Sequence, residues 1–593
     1  MPQSGTLAAS TTEALIHRLT DDALLHIFAK FCELAEWGRY SCGTEVLNLA
    51  RVCRRWKALI HGCSLFWSRI DLYLFDDCDP SPRVRFWLDR ARASPLTIKI
   101  SAEYGGEYVG YKLHMTRLAR ILRECMDRWA SLTIQTRPDD ANFFLRDCVG
   151  VVPMLEELQL DLDSYQDEHW DDRSISIDIP FCGEPQPKNA TCVTSINIPR
   201  FTSSFGLVIA SLTLRLTVAP LPFDKIVDAL RSCPNLAKFH MESRTCELRP
   251  WPLPSTDTIS LPRLVHLYLD CSKQLEGLML ALMRFPALES IHLSSHSDYS
   301  PDITDTLVQV FRTCSSLSSI ALDGGAYYID SIGISPTSAT APHITLPLVS
   351  KFYVRSNAIN FPLHHLRLSN VEDLHIESVH FDVAAHFLLN SHRLKSLKLF
   401  EIEETPPTNT PHSFPELTSV KTTASLEILD YIHAPQLLSI DISGEYFHYP
   451  TKIPLDPFLR LIDRSPPPLR FLRLGSVEFT ENYTILCFEG LPFLETLRLG
   501  CCSTSDGVLH ALGPPSSTQH DLLLPRLTEI DLMYNKNLTP SAIIEFLAFR
   551  NGPSRTAAAP MPPRVRGLIL LHDPVERRQY CDEIESYGSI TAM

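Results

Sequence analysis

The sequence predicts an α/β fold in which a small N-terminal α-helical module precedes an irregular solenoid, a horseshoe of short parallel strands with outer helices. Three observations predict it. Two apolar stripes at helical spacing lie within residues 15–72, the pattern of amphipathic helices that pack on one another. Beyond residue 150 a motif keeps returning: proline, any residue, then apolar residues at the first, fourth and sixth places after it, as in repeat architectures. The 44 prolines against 23 glycines suit many short elements with rigid junctions, because proline stops helices and strands.

The helical module opens at Leu19-Thr20-Asp21-Asp22. Thr20 is a natural N-cap, and the two acids behind it suit the positive end of a helix dipole. Leu24, Ile27, Phe28 and Phe31 then share one helix face, and Leu49, Val52, Cys53, Trp56, Leu59 and Ile60 form a second stripe before Phe66-Trp67. The order of these residues resembles the F-box: Leu19, then Leu24-Leu25-His26-Ile27-Phe28, then Leu47 through the Val52-Cys53-Arg54-Arg55-Trp56 run to Ile60, closing with Ser64-Leu65-Phe66-Trp67. In that family the module binds the Skp adaptor and, through it, the cullin scaffold of a ubiquitin ligase. The resemblance implies an adaptor-binding set of Leu19, Leu24, Ile27, Phe28, Leu47, Val52 and Trp56. Thr20 stands where the family usually has proline, and the segment Cys32 to Thr44 is longer than the usual link. Arg51, Arg54, Arg55 and Lys57 have two readings, as contacts to an acidic adaptor or as cations complementing helix C-termini.

Clear copies of the repeat motif start at Pro153, Pro234, Pro262 and Pro286. Others begin at Leu317, Val349, Val371, Leu394, Leu417, Leu437, Leu469, Leu494 and Leu527. The last two apolar residues of each copy are two apart, so they share one face of a short strand. Helical patterns such as Phe223-Ile226-Val227-Leu230 and Ile543-Ile544-Leu547 lie between copies. Each unit is too small to bury its own apolar edge, so neighbours must stack. The array resembles leucine-rich repeats, most closely at Leu497 to Leu509, although the asparagine that usually follows the strand is largely absent. Insertions are expected at Asp161 to Cys192, Gly324 to His343, Glu403 to Pro411 and Thr556 to Pro563. The expected organisation is residues 1–14 flexible, 15–75 F-box, 76–150 linker and degenerate first repeats, 151–571 solenoid and 572–593 a tail.

The residue between the last two apolar positions of each copy should point to the concave surface, where repeat proteins hold partners. These positions give Gln159, His240, Tyr268, His292, Ala321, Tyr353, His375, Lys398, Lys421, Asp441, Arg473, Arg498 and Asp531. Basic, histidine and tyrosine side chains dominate in a chain of net charge -15. One reading is a target-binding face, suited to an acidic or phosphorylated segment, made by His240, Tyr268, His292, Tyr353, His375, Lys398, Lys421, Arg473 and Arg498. The other is a solvated sheet surface whose long side chains pack across strands.

The acidic balance opposes diffuse binding to nucleic acid or to anionic membranes, and no apolar run approaches membrane-spanning length. With no secretion signal, the 17 cysteines read as reduced, mostly buried thiols. No phosphate loop, His-Glu-x-x-His or paired Cys-x-x-Cys spacing is present, so neither a cofactor nor a metal is expected. Cys501-Cys502 reads as structural. The expected function is that of a non-enzymatic substrate receptor of a Skp–cullin–F-box ligase, cytoplasmic or nuclear. The alternatives are a scaffold that uses the F-box only to dock, and an unrecognised enzyme.

Overall fold

A computed structural model describes residues 19–35, 42–74, 79–102, 110–162, 176–183, 191–217, 221–243, 258–294, 301–324, 343–355, 363, 366–402, 410–423, 426–444, 451–452, 455–478, 480–514, 522–552, 563–569, 574–587 and 590–592. Most of each expected insertion, and residues 1–14, lie outside these. The chain divides into two compact units, Met1–Leu288 and Glu289–Met593.

The recurring proline has a local cause. In unit 1 the N–H of Leu155, Leu236, Leu264 and Leu288 donates to the carbonyl three residues back, on Val152, Cys233, Leu261 and Phe285, at 3.1–3.2 Å. Unit 2 repeats the turn at Leu346/Val349, Phe414/Leu417, Ala434/Leu437, Leu491/Leu494 and Leu524/Leu527, at 3.1–3.4 Å. Proline occupies the second place of every one of these turns, where its fixed φ is already the one required. Both turn ends are buried, so each turn is pinned to the core and delivers the next strand in a fixed phase.

In unit 1 three helices form the N-terminal module: α1 (Asp21–Ala35), α2 (Cys42–Val52) and α3 (Arg54–Gly62). Thr20 Oγ1 accepts from the N–H of Ala23 at 3.3 Å, so threonine caps α1 where proline was the family norm. Cys53 Sγ caps α3 by accepting from the N–H of Trp56. Leu24, Phe28, Val46, Ala50 and Ile60 fill the core of the module. The sheet then opens at Arg69–Leu74, inside the stretch expected to be helical module. Residues 76–150, expected as linker and degenerate first repeats, hold the strands Leu96–Ala102 and Trp129–Gln135. Strands Arg69–Leu74, Leu96–Ala102, Trp129–Gln135 and Glu157–Asp161 pair in parallel, in that order. Helices α4 (Ser81–Ala91), Gly110–Arg123 and Pro138–Asp147 make the crossovers that parallel strands need. Thr191–Ser195, Ile209–Leu216, Lys238–Ser243 and His266–Asp270 continue the ladder.

Trp67 joins the module to the sheet. It is fully buried, donates from Nε1 to the Ile60 carbonyl at 2.8 Å, and stacks on His61. The rings of Phe86 and Trp87 on α4 meet it edge-on at 5.5 and 6.0 Å. Arg90 closes the cluster, lying 3.5 Å from the Phe86 ring and donating to His61 Nδ1.

Unit 2 is a second parallel run, from Ser290–Ser294 to Ile590–Ala592. From Phe352 to Ile530 the two inward positions of its strands are buried, almost all of them Leu, Ile, Val or Phe, each contributing about 1.5–3 kcal/mol of hydrophobic stabilisation. Two side chains stitch successive repeats. Cys502 Sγ donates to the Leu474 carbonyl at 3.1 Å, and Asn535 Nδ2 donates to the carbonyls of Leu499 and Leu532. Both stand three places after the last apolar strand residue, so a thiol and an amide share the role of the leucine-rich-repeat asparagine. Arg550 is fully buried and donates to the carbonyls of Leu512, Leu523 and Leu524. Residues 572–593, expected as a tail, contain the helix Pro574–Ser586 and the strand Ile590–Ala592, which pairs in parallel with Arg566–Ile569. Both strands lie beyond the last copy of the motif, at Leu527, so the array runs two strands further than the motif indicates.

Replacing Trp67 by alanine should destabilise the protein by roughly 3–5 kcal/mol, and replacement by phenylalanine should cost less. Chemical denaturation of the full chain measures both. An unaltered transition for Trp67→Ala would show that the aromatic cluster does not hold module and sheet together.

Candidate functional site

The structure divides the seven predicted adaptor residues into two groups. Leu24 and Phe28 are each only 1% exposed and belong to the core of the module. Ile27 and Val52 are 48% and 61% exposed, an unusual position for apolar side chains flanked by so much charge. Leu19, Leu47 and Trp56 are half-buried. Trp56 lies against Phe28 with ring centroids 4.6 Å apart, so the core ring sets the pose of the surface one. Phe31, one helical turn from Ile27, and Leu65 are also exposed. Leu65 was not singled out in the sequence, where it is one of four residues in a closing run; its exposure distinguishes it from buried Phe66 and Trp67. Arg55 donates to both the Asp21 carboxylate, at 2.6 and 3.0 Å, and the Leu19 carbonyl, at 2.7 Å. It ties the entry to α1 against α3.

Register places the predicted face residues in rows. In unit 1 the row is Asp71, Lys99, Thr133, Gln159, Thr194, Thr213, His240 and Tyr268. In unit 2 it is His292, Ala321, Tyr353, His375, Lys398, Lys421, Asp441, Arg473, Arg498 and Asp531. Their neighbours along each strand are buried, so most of these side chains stand half-exposed on the open face. Asp71, Lys99, Thr133, Thr194 and Thr213 are not among the positions expected from the motif. In the strand of Thr194, Thr191 and Ser195 occupy buried sites, and Thr191 pays for its burial by donating to the Leu155 carbonyl at 2.7 Å.

The unit 2 row has an aromatic centre. Tyr353 and His375 rings lie 4.5 Å apart, and Phe400 meets His375 edge-on at 5.0 Å. Arg355 braces it from the next row, 3.0 Å from Glu377 and 3.7 Å from Asp323. Burial, then Lys398, Lys421 and Arg355, push the His375 pKa down to about 4, so the ring is neutral at physiological pH. Burial and the carboxylates of Asp323 and Glu377 hold the Tyr353 hydroxyl well above its ordinary range. In unit 1, His240 and Tyr268 form a similar pair at 4.1 Å.

The arginines of the row have partners within the chain: Arg473 is 3.5 Å from Asp441 and Arg498 is 3.2 Å from Glu529. Lys421 shares Asp441 at 3.4 Å. Lys398 is the exposed cation of the row with no partner among the described residues. The face is one of alternating charge around an aromatic and imidazole centre, not a basic stripe. Such part-exposed pairs contribute little stability, so an incoming charge can displace one partner at small cost.

Among the described residues no group of three or more His, Cys, Asp or Glu is placed to hold a metal ion, and no helix is long and apolar enough to cross a membrane. Burial pushes the Cys502 thiol up to about 12 and the Cys233 and Cys487 thiols similarly, which leaves them protonated and poorly nucleophilic.

Residues 16–68 match the F-box domain. The chain thus has an F-box domain at its N-terminal end, followed by a parallel-strand, leucine-rich-repeat-like array. No curated protein matches it. Similar solved structures include a TLR13–ssRNA13 complex, at 14% identity and a TM-score of 0.37, covering 83% of this chain and 62% of that one. The chain therefore spans less than two thirds of the length of that structure. A complex of Rad7 and Elc1 from yeast is matched at 14% identity and a TM-score of 0.28, covering 77% of this chain and 92% of that one.

The depressed pKa of His375 predicts a pH dependence. In the unfolded chain an imidazole titrates near its ordinary value of 6.5, whereas the folded ring resists protonation. The unfolded state binds more protons between the two values, so this contribution is complete above about pH 6.5 and is lost as pH falls toward about 4. Thermal midpoints followed over that range should drop more steeply for the native chain than for His375→Gln. Parallel curves would remove His375 as the cause.

Proposed function

We propose that this chain, an F-box domain ahead of a leucine-rich-repeat-like solenoid, is the substrate-receptor subunit of a Skp–cullin–F-box ubiquitin ligase. The observation that carries this reading is the F-box match at residues 16–68, on a module that leaves Ile27 and Val52 exposed. In this reading Ile27 and Val52 enter the adaptor interface together with the half-buried Leu19, Leu47 and Trp56. Leu24 and Phe28 support them from below. Burying such side chains against a partner supplies the apolar centre that stable interfaces need.

The open face binds the protein target. Tyr353 and His375, with Phe400 beside them, offer rigid amphipathic surface at low entropic cost, as aromatic anchors do in other interfaces. Lys398 and Lys421 flank them with charge. His240, Tyr268, His292, Arg473 and Arg498 extend the face in their own units. The chain supplies no chemistry in this scheme. Its contribution is effective concentration, holding a target lysine near a ubiquitin-conjugating enzyme carried elsewhere on the ligase. A module fixed to the first strands by Trp67 and α4 supports that role, since a loose joint would dilute the advantage. Such a receptor would work in the cytoplasm or nucleus.

Co-purification with the Skp adaptor tests the reading. Ile27→Glu with Val52→Glu puts unpaired charge into the proposed contact and should weaken adaptor binding by roughly a hundredfold. The thermal midpoint should stay near that of the native chain, because both side chains are exposed. Leu24→Ala should instead lower the midpoint. Absence of adaptor binding by the native chain would end the ligase reading, and unimpaired binding by the double variant would relocate the interface.

A further inference from the structure

Unit 1 has an open cleft of about 550 Å³, lined by Pro180 and six polar or charged residues, that takes no part in the open face. Asn142 and Arg146 reach it from the helix Pro138–Asp147, Ser176 and Asp178 from the strand Ser176–Ile179, Arg200 from Ile198–Phe201, and Lys225 from the helix Phe223–Arg231. The two strands form a separate pair outside the main sheet, with Asp178 and Arg200 as register partners.

Three cations and one carboxylate meet here, in a chain whose net charge is -15. The carboxylate neutralises little. Asp178 lies 3.8 Å from Arg200, and both side chains are largely exposed, a geometry that holds neither firmly. Arg146 and Lys225 have no ion pair among the described residues. Lys225 also sits in the first turn of its helix, next to Asp224, where the dipole favours negative charge and opposes a lysine. Asn142 and Arg146, four residues apart, share a helix face and place an amide beside the guanidinium. Like charges gathered in a recess repel one another, and an anion relieves that repulsion.

We propose that this cleft binds a phosphoryl group. Arg146 and Arg200 present planar forks that match tetrahedral oxyanions, Lys225 adds a point charge, and Asn142 donates a neutral hydrogen bond, while the Ser176 hydroxyl donates to the Ile198 carbonyl at 3.2 Å and holds the strand pair that lines the cleft. Arg200 exchanges its long contact with Asp178 for phosphoryl oxygens. The space is far larger than one phosphate, so the group arrives on a larger molecule: a phosphorylated side chain of a protein, or a free polyphosphate. The site is independent of adaptor docking and of the open face.

The test is titration of the full chain with two probes, tripolyphosphate and a phosphoserine peptide with uncharged flanks, the latter beside its unphosphorylated form. At least one phosphoryl probe should bind saturably and weaken with added salt, and the unphosphorylated peptide should bind at least tenfold more weakly. Arg146→Gln with Arg200→Gln should cost at least tenfold in affinity, whereas Arg263→Gln, which removes a cation elsewhere on unit 1, should cost nothing. Tighter binding of the peptide would assign the group to a protein, and tighter binding of tripolyphosphate to a free ligand. A thermal melt checks the double variant, and Lys225→Gln replaces it if the fold is lost. Absence of saturable binding by both probes, or binding unchanged in a folded variant, would overturn the site.

Discussion

The constraint on which the molecule depends is strand register. A parallel strand has unpaired N–H and C=O groups on both edges and one side that must be buried, so it is stable only when a neighbour supplies both a ladder and an apolar floor. A slip of one residue would turn every buried leucine outward and every face residue inward. The proline turn prevents it. With the residue before the proline and the one two places after it both buried, the turn is anchored at each end, and the following strand has one phase available. In the row from His292 to Asp531, six of the ten strands follow such a turn, and pairing carries the same phase to the strands between them.

That row also shows why charge read from a list of residues misleads. Basic side chains outnumber acidic ones at the central strand position, but the carboxylates that answer them sit one place away, along the strand or across it. Asp441 lies in the row itself between Lys421 and Arg473, while Glu529 reaches Arg498 from the flanking row. What remains distinctive is the Tyr353, His375 and Phe400 cluster, whose neutral imidazole reflects burial next to cations. The cleft at Arg146, Arg200 and Lys225 is the opposite case. Those residues are distant in sequence and unremarkable there, and they become a positive site only because two helices and a short strand pair bring them to one recess.

Reading the repeats from sequence succeeded at the copies with proline and also at Leu317, Val371 and Leu394, which lack it, and failed at a few other strands. The strand Thr191–Ser195 places Thr191 and Ser195 at buried positions, so periodicity alone does not mark it. Ile209–Leu216 has the apolar pattern but enters without a proline. At the C-terminal end, Arg566–Ile569 and Ile590–Ala592 are short strands with little apolar periodicity. They are held by pairing, which leaves no trace in composition. The same holds for the N-terminal module, where helical spacing gathered Leu24, Ile27 and Phe28 on one stripe although only the first and last are core.

The sequence by itself determined the order of helical module and parallel array, the phase of most strands, and which side chain of each strand faces outward. It could do so because turns, caps and alternation act within a few residues of the chain. Tertiary structure decided the rest: which apolar residues of the module are core and which are surface, which arginines are already paired, and that Cys502 and Asn535 bind the repeat before them. Those outcomes depend on contacts between residues some 25 to 40 apart in the chain, where packing and electrostatics act across repeats and no local pattern records them.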